Sequence, residues 1–181
     1  MCKEKLNLKK VGDSFFNQQL VSLVENNPYL AFVLLSAILE FMGHCYRKGQ
    51  KTNDDTVRAV FFDLINNVEA LKDYRQLNFK FKVKDRKSGQ DIEKDNNYLY
   101  KYLRCGMLHE LLPQEDIVLC PDRNDLSNSK KIVGAKNLYE DMKKAWEELK
   151  ISTDISLYIE NADALTIDGD FSGSTSLSIS T

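Results

Sequence analysis

The sequence is poor in the features that mark several large classes of protein. Its four cysteines are widely spaced and form no C-x-x-C pair, so reduced thiols are expected rather than a disulfide scaffold. Its glycines are isolated, and none belongs to the G-x-x-x-x-G-K pattern of a phosphate-binding loop. No internal repeat of solenoid period is visible. Repeat architectures and nucleotide-loop enzymes are therefore disfavoured, and no cofactor is expected.

An excess of charge and a long apolar run are also lacking. The formal net charge is −2, so a polyanion would have to bind a local patch. The lysine-rich N-terminus is not followed by the apolar core and cleavage site of a signal peptide. The most apolar run, residues 28–39, meets Glu40 after twelve residues, which predicts a core helix and not a membrane span. We therefore expect a cytoplasmic protein with no membrane contact.

The composition is ordinary for a globular protein, with 43% hydrophobic and 29% charged residues in a chain of 181. Apolar residues recur at helical spacing as far as residue 150, and the chain then alternates before becoming rich in Ser, Thr and Gly. Residues 1–150 are therefore predicted to form a helical domain. Residues 151–181 are predicted to form an extended tail, either a β hairpin or a loosely ordered segment.

Capping residues and breakers divide the first 150 residues into helices. Asp13, Asn27 and Asn137 are predicted N-caps, and Asn27 is followed by a proline that suits the first helical turn. Pro113 ends the helix that starts at Asn97. The predicted helices cover residues 13–26, 28–48, 54–71, 97–111 and 137–149. The fold class is mainly α, a bundle of four to five helices.

Two further segments suggest β structure. Residues 117–119 and 131–133 flank a polar stretch, and they are predicted to pair as a small hairpin beside the bundle. Phenylalanines alternate with lysines near residue 80, which indicates a basic strand or loop.

That basic segment is the one concentrated positive patch in the sequence. With aromatic rings nearby, it suits contact with single-stranded RNA, and a solvated loop is the alternative. Acidic residues at 91, 93 and 95 follow and would weaken its field. The basic residues assigned to RNA contact are Lys80, Lys82, Lys84, Arg86 and Lys87.

Arg104 and His109 are the best candidates for chemistry. Four residues separate them on one predicted helix, so their side chains diverge by roughly 140° in a regular α-helix. The arginine would have to curl towards the histidine, or a partner subunit would have to supply a second copy. Histidine serves as acid or base near neutrality and a guanidinium holds phosphate oxygens, as metal-independent cleavage of an RNA phosphodiester requires. The alternative is an ion pair of Arg104 with Glu110 or with a neighbouring helix.

Glu40 and His44 share one face of the second predicted helix, at a spacing suitable for two metal ligands. Because no H-E-x-x-H pattern or cysteine cluster accompanies them, an ion pair or hydrogen bond is favoured and no metal is predicted. Glu40 is also predicted to face the cleft and to steady His109.

Three stretches carry a resemblance to a known family. Residues 30–43 (LAFVLLSAILEFMG), 102–110 (YLRCGMLHE) and 138–146 (LYEDMKKAW), in this order of helices, are similar to segments of prokaryotic HEPN-like proteins. The resemblance covers residues from about 15 to 150. Arg104 and His109 match the Arg-x4-6-His motif of that superfamily. The residue after the arginine is commonly polar in the family, often Asn or Asp, whereas here it is Cys105.

The resemblance implies a homodimer in which the motif helices form one composite cleft. It implies a metal-independent endoribonuclease of a toxin–antitoxin or defence system, with Arg104 and His109 catalytic and an antitoxin or other protein as a further partner. Glu40, Cys105 and Glu110 are predicted to support this pair. Other members have lost catalysis, and Cys105, a weak donor, favours this alternative, a non-catalytic helical module that binds a protein or a nucleotide.

Overall fold

The computed structural model describes residues 8–47, 54–85, 88–110, 117–122 and 132–152. Within these residues the fold is mainly helical with a small antiparallel β hairpin, which confirms the predicted fold class. The α-helices are α1 (Leu8–Ser14), α2 (Leu20–Asn26), α3 (Pro28–Tyr46), α4 (Asp54–Asn67), α5 (Cys105–His109) and α6 (Ala135–Ser152). The strands are β1 (Asn78–Lys84), β2 (Asp91–Asn97), β3 (Val118–Cys120) and β4 (Ile132–Gly134). The predicted tail lies, from residue 153 onward, outside the described residues.

Irregular helical turns connect several of these elements. The π-helical stretch Phe15–Gln19 joins α1 to α2 in one continuous helix, and a second π-helical stretch, Leu99–Arg104, continues into α5. A 3₁₀ segment, Glu69–Leu77, follows α4. The third predicted helix therefore breaks near Val68, whose backbone is extended, instead of running to Leu71.

Helix α3 is the central element of the bundle and begins as predicted. The Asn27 side chain accepts a hydrogen bond from the backbone N–H of Leu30 at 3.1 Å, and Pro28 occupies the first turn. Neighbours on several sides of α3 include α2, α4 and α6. By length and composition α3 would suffice to cross a membrane, but half of its most apolar window is buried inside the fold. It is packed here as a core helix.

Two of the three predicted N-caps are wrong. Asp13 lies inside the first helix, which begins upstream, and its carboxylate accepts hydrogen bonds from Trp146 Nε1 at 2.9 Å and Lys150 Nζ at 2.8 Å. Helix α6 starts directly after β4, so Asn137 lies within its first turn. The backbone N–H of Lys136 in that turn donates to the Pro121 carbonyl at 3.0 Å instead. Tertiary contacts override the local capping preference at both positions.

The antiparallel hairpin is formed by β1 and β2, and the sequence indicated only its first strand. Strand β2 has the sequence DIEKDNN, which is rich in residues that are uncommon in strands, so its pairing comes from its neighbour and not from its own propensity. The predicted hairpin near residues 117–119 and 131–133 needs a correction. Strands β3 and β4 do pair, but in parallel. About a dozen residues separate them, which is the length that a parallel connection requires.

The core centres on aromatic contacts between α6, α3 and the first helix. Trp146 is fully buried, stacks on Phe16 with ring centroids 6.3 Å apart, and contacts Phe41 at 5.8 Å.

Close approach of α3 to α4 depends on Gly43. A Cβ atom at this position would lie 2.6 Å from Cγ1 of Val60 and 3.0 Å from its carbonyl oxygen.

The packing at Gly43 gives a first prediction. Gly43→Ala should destabilise the fold by about 1–3 kcal/mol, because the added methyl group pushes α4 away from α3. Urea unfolding of the two single variants and of Gly43→Ala/Val60→Ala measures the effect. Shortening Val60 makes room for the methyl group, so the double variant should lose less stability than the two single losses combined. Strictly additive losses would contradict the close contact.

The Asp13 contacts give a prediction about pH. Burial raises the pKa of Asp13, but the hydrogen bonds from Lys150 and Trp146 outweigh it and hold the pKa below its ordinary value. A lowered pKa in the folded state stabilises the protein above about pH 4, and this contribution is lost as the pH falls through the folded value. Asp13→Asn should therefore reduce stability at about pH 7, and the difference from wild type should shrink below about pH 4. A constant difference in urea unfolding across this range would refute the assignment.

Candidate functional site

The helix that carries the predicted motif begins at a buried asparagine. The Asn97 Oδ1 accepts the backbone N–H of Leu99 at 2.9 Å, and its Nδ2 donates to the Tyr74 carbonyl at 2.9 Å. The helix then packs against α3, and its buried residues Leu99, Leu103 and Met107 recur every four positions. Arg104 follows Leu103 at the end of the π-helical stretch. π-Helical turns are often found at functional sites.

Arg104 is held by Glu40 of α3. Its Nε donates to Oε2 of Glu40 at 2.8 Å, and its Nη2 lies 2.6 Å from the same oxygen. The two side chains are only 17% and 21% exposed. Burial lowers the pKa of Arg104, but the Glu40 carboxylate and the Cys105 thiol outweigh it, so the net pKa is raised and the guanidinium remains charged. The neighbouring helix thus supplies the ion-pair partner, one of the two alternatives left open by the sequence.

His109 lies beside Nη1, the guanidinium nitrogen of Arg104 that does not contact Glu40. Arg104 Nη1 lies 3.4 Å from Nε2 of His109, and the imidazole is exposed to solvent. The arginine therefore curls along its own helix towards the histidine. The two residues meet within one chain, without a second copy. Glu40 is not bonded directly to His109 in these contacts; it reaches the imidazole through Arg104.

His44 was not among the predicted site residues, yet it lies at the other side of Glu40. Its Nε2 is 3.9 Å from Oε1 of Glu40, so the two oxygens of one carboxylate face different partners. Glu40 and His44 thus lie within ion-pair distance of each other, as the alternative to a metal site predicted. In the part of the chain that the structure describes, no group of three or more His, Cys, Asp or Glu residues could hold a metal ion. The i, i+4 spacing of Glu40 and His44 was the signal available in the sequence.

Tyr100 is a residue of the site that sequence reasoning missed. The guanidinium carbon of Arg104 lies 5.7 Å from the centroid of its ring, and the ring also packs against Phe61 at 5.5 Å. Burial, and then repulsion from Cys105, raise the pKa of Tyr100 to about 12, so its hydroxyl stays protonated. Cys105 also contributes to the raised pKa values of Tyr100 and Arg104, so it lies beside both side chains. Its supporting role in the site remains a prediction.

Glu110 follows α5 at the end of the motif helix. Its backbone N–H donates to the Gly106 carbonyl at 2.8 Å, and its side chain is exposed. The structure assigns the arginine's ion pair to Glu40, so a role of Glu110 in the site remains a prediction.

The predicted RNA-contact lysines lie on the exposed face of β1. Lys80, Lys82 and Lys84 each stand opposite an acidic residue of β2, and Lys80 Nζ is 3.9 Å from Glu93. Opposite charges at these positions reduce the local positive field, as the sequence suggested. Arg86 and Lys87 lie outside the described residues. RNA contact at this strand remains a prediction.

A cluster of aromatic rings lies on the other face of β1 and on the start of the motif helix. Phe79 and Tyr98 have centroids 4.5 Å apart, and Tyr98 stacks on Tyr102 at 5.0 Å with an interplanar angle of 18°. The Lys101 ammonium lies 4.7 Å from the Tyr102 ring centroid. Phe79 and Tyr98 are partly exposed, so aromatic and cationic groups reach solvent beside the motif helix.

An open groove of about 450 Å³ lies elsewhere, between α2 and α6. Its lining mixes the lysines at 136 and 143 with the acids at 25, 122 and 140, and it includes neither Arg104 nor His109. Because its charges largely compensate one another, the groove gives no indication of a ligand. The cluster formed by Glu40, His44, Arg104 and His109 therefore remains the better candidate for a functional site.

Comparisons of the chain with protein-family models, with curated proteins and with solved structures found no match. The resemblance to HEPN-like proteins therefore rests on the three quoted stretches and the Arg104/His109 spacing. The functional assignment depends on the geometry of the cluster formed by Glu40, His44, Arg104 and His109.

Proposed function

We propose that this chain is a metal-independent endoribonuclease of HEPN-like type, in which Arg104 binds the scissile phosphate and His109 transfers a proton. One observation carries the proposal: a guanidinium fixed by Glu40 directs its remaining nitrogen, Nη1, at an exposed imidazole 3.4 Å away. The pair joins a phosphate-binding group to an acid–base group at a surface that a substrate can reach.

The proposed reaction uses the RNA's own 2′-hydroxyl as the nucleophile. His109 takes the proton as the 2′-oxygen forms a bond to phosphorus, and the bond to the 5′-oxygen breaks as that oxygen takes a proton from an acid or from water. The products are a 2′,3′-cyclic phosphate and a 5′-hydroxyl. Arg104 Nη1 donates to a non-bridging phosphate oxygen and stabilises the charge that develops there. DNA lacks the 2′-hydroxyl and should not be cleaved.

Glu40 acts in this scheme as a positioning residue. It engages Nε and Nη2 of Arg104 and leaves Nη1 directed towards the imidazole. A guanidinium held in this way loses little side-chain entropy when it meets a phosphate, which favours the transition state. The carboxylate also offsets part of the positive charge, so the contribution of Arg104 comes from directed hydrogen bonds more than from a strong field.

The aromatic cluster formed by Phe79, Tyr98 and Tyr102 supports RNA as the substrate class. Unpaired bases stack on partly exposed rings with little sequence preference, and Lys101 beside them supplies a positive charge. The β1 lysines would add phosphate contacts at low salt, weakened by the facing acids. We therefore expect a preference for single-stranded over double-stranded RNA.

The biological setting is proposed from the family resemblance. It comprises a toxin or defence role, a homodimer, an antitoxin or other protein partner and a cytoplasmic location. Since Arg104 and His109 meet within one chain, dimerisation would extend the RNA-binding surface and would not be needed to assemble the pair.

A second function is favoured by a specific observation. The Glu40 carboxylate compensates the Arg104 charge, and Cys105 stands where the family commonly has a polar residue. A non-catalytic helical module that binds a protein or nucleotide through the same surface would have these features. Binding of RNA or of a partner protein without cleavage at any pH would favour it.

The proposed activity makes a direct prediction. His109→Ala should lower the rate of cleavage of single-stranded RNA at least about 100-fold, because general acid–base catalysis contributes on this scale. Arg104→Lys should also lose activity, since an ammonium group cannot bond Glu40 and a phosphate with the same fork. Cleavage is measured on an end-labelled oligonucleotide in the presence of a metal chelator.

The control is Glu140→Gln, an exposed substitution in α6 on the groove away from the cluster, which should cleave as wild type does. Thermal unfolding establishes that each variant is folded. Equal cleavage by His109→Ala and wild type would rule out the assignment, and so would loss of wild-type cleavage on chelation.

A further inference from the structure

We infer that His44 is the second proton-transfer residue of this site, the acid that protonates the leaving 5′-oxygen of the RNA. The inference rests on the proposed function and extends it to a residue that the Arg-x4-His motif does not contain. Cleavage by a 2′-hydroxyl needs both a base for the nucleophile and an acid for the leaving group, and a single imidazole does not serve both within one step.

The first support is the position of the two histidines. The chain has only two, and both lie beside the same ion pair: His44 at Oε1 of Glu40 and His109 at Nη1 of Arg104. The two partners of that pair are 64 positions apart in the chain, so the fold and not the sequence brings the histidines into one cluster.

The second support is the chemistry of the groups that the two imidazoles face, Arg104 beside His109 and Glu40 beside His44. A guanidinium has N–H donors only, so the Nε2 of His109 that faces it presents its lone pair. The Nε2 of His44 lies 3.9 Å from Oε1 of Glu40, beyond hydrogen-bonding distance, so this contact does not commit the ring proton of His44. The contact with Arg104 therefore presents His109 as a proton acceptor, and His44 is the imidazole left to donate a proton. When a phosphate engages Nη1 of Arg104, the lone pair of His109 is released to the 2′-hydroxyl.

The third support is access. The side chain of His44 is 28% exposed, more than either member of the ion pair beside it. A histidine serving only as a helix ion-pair partner would also fit the distance of 3.9 Å to Glu40. The other titratable or charged groups around Glu40 and Arg104 are His109, Tyr100 and Cys105 of the motif helix. Arg47, directly after α3, pairs with Asp63 of α4.

The step balances without a metal or another reactant. The 2′-oxygen bonds to phosphorus and gives its proton to His109, while the bond between phosphorus and the 5′-oxygen breaks and that oxygen takes the proton of His44. Release of products leaves His109 protonated and His44 neutral, and exchange with water restores both. One protomer would thus contain a complete acid–base pair.

The test compares two RNA substrates that differ in the leaving atom, the 5′-oxygen or a sulfur in its place. A thiolate leaves without being protonated, so it bypasses a missing general acid. His44→Ala should cleave the ordinary substrate about 100-fold or more slowly than wild type, and it should cleave the sulfur substrate nearly as fast as wild type. His109→Ala should be slow on both, because the nucleophile still needs its base.

Two further measurements separate proton transfer from a structural role. His44→Gln keeps a side-chain N–H for Glu40 but cannot transfer a proton, so it should show the same defect as His44→Ala. The pH profile of kcat/KM should lose its alkaline limb in both variants, since that limb reports the protonated acid. A merely structural His44 would slow both substrates equally and leave the shape of the profile unchanged.

The outcomes distinguish the two levels of the proposal. If wild type cleaves RNA and the His44 variants match it, or slow equally on both substrates, the role of His44 is overturned and the proposed function stands. If wild type binds RNA and cleaves neither substrate, the proposed function fails and the role of His44 fails with it.

Discussion

The ion pair between Glu40 and Arg104 is the contact on which the arrangement of the site depends. It joins the central helix α3 to the motif helix and fixes two of the three guanidinium nitrogens on one carboxylate oxygen. A partly buried pair of this kind incurs a desolvation cost, which its hydrogen bonds offset only when the geometry is good. Removing either member would leave a charge near the protein interior without its partner. The pair therefore directs the third nitrogen as well as joining two helices.

The position of that pair follows from how α3 is packed. Gly43 allows α4 to approach closely, and the aromatic contacts of Trp146 hold α6 on the same helix. Glu40, Gly43 and His44 lie within one and a half turns, so the residues that pack α3 and those that form the cluster depend on one another. A shift of α3 by a fraction of an ångström would alter the distance from Arg104 to Glu40, and through it the contact with His109.

Sequence reasoning succeeded where the signal is local. The Asn27 cap, the apolar α3 and the start of the motif helix at Asn97 follow from short-range preferences. It failed where distant residues decide. Asp13 accepts hydrogen bonds from Trp146 and Lys150 of α6 instead of capping a helix. Strand β2 pairs with β1 although its own sequence has a weak strand propensity. Arg104 and His109 were found from spacing, but the joint use of Glu40 by Arg104 and His44 depends on helix packing, which no single segment encodes. Tyr100 lies four residues before Arg104 on the same helix, so its contact with the guanidinium had a local signal in the sequence that was not used.

The most direct test of this geometry is an NMR measurement of the side-chain nitrogens of Arg104 and His109 in wild type and in Glu40→Gln. If Glu40 directs the guanidinium at the imidazole, wild type shows a resolved, slowly exchanging Arg104 Nε–H signal. The substitution broadens this signal and shifts the His109 Nε2 resonance, while the remote Glu140→Gln leaves both unchanged. A His109 resonance that does not move in Glu40→Gln would contradict the coupling of the carboxylate, the guanidinium and the imidazole.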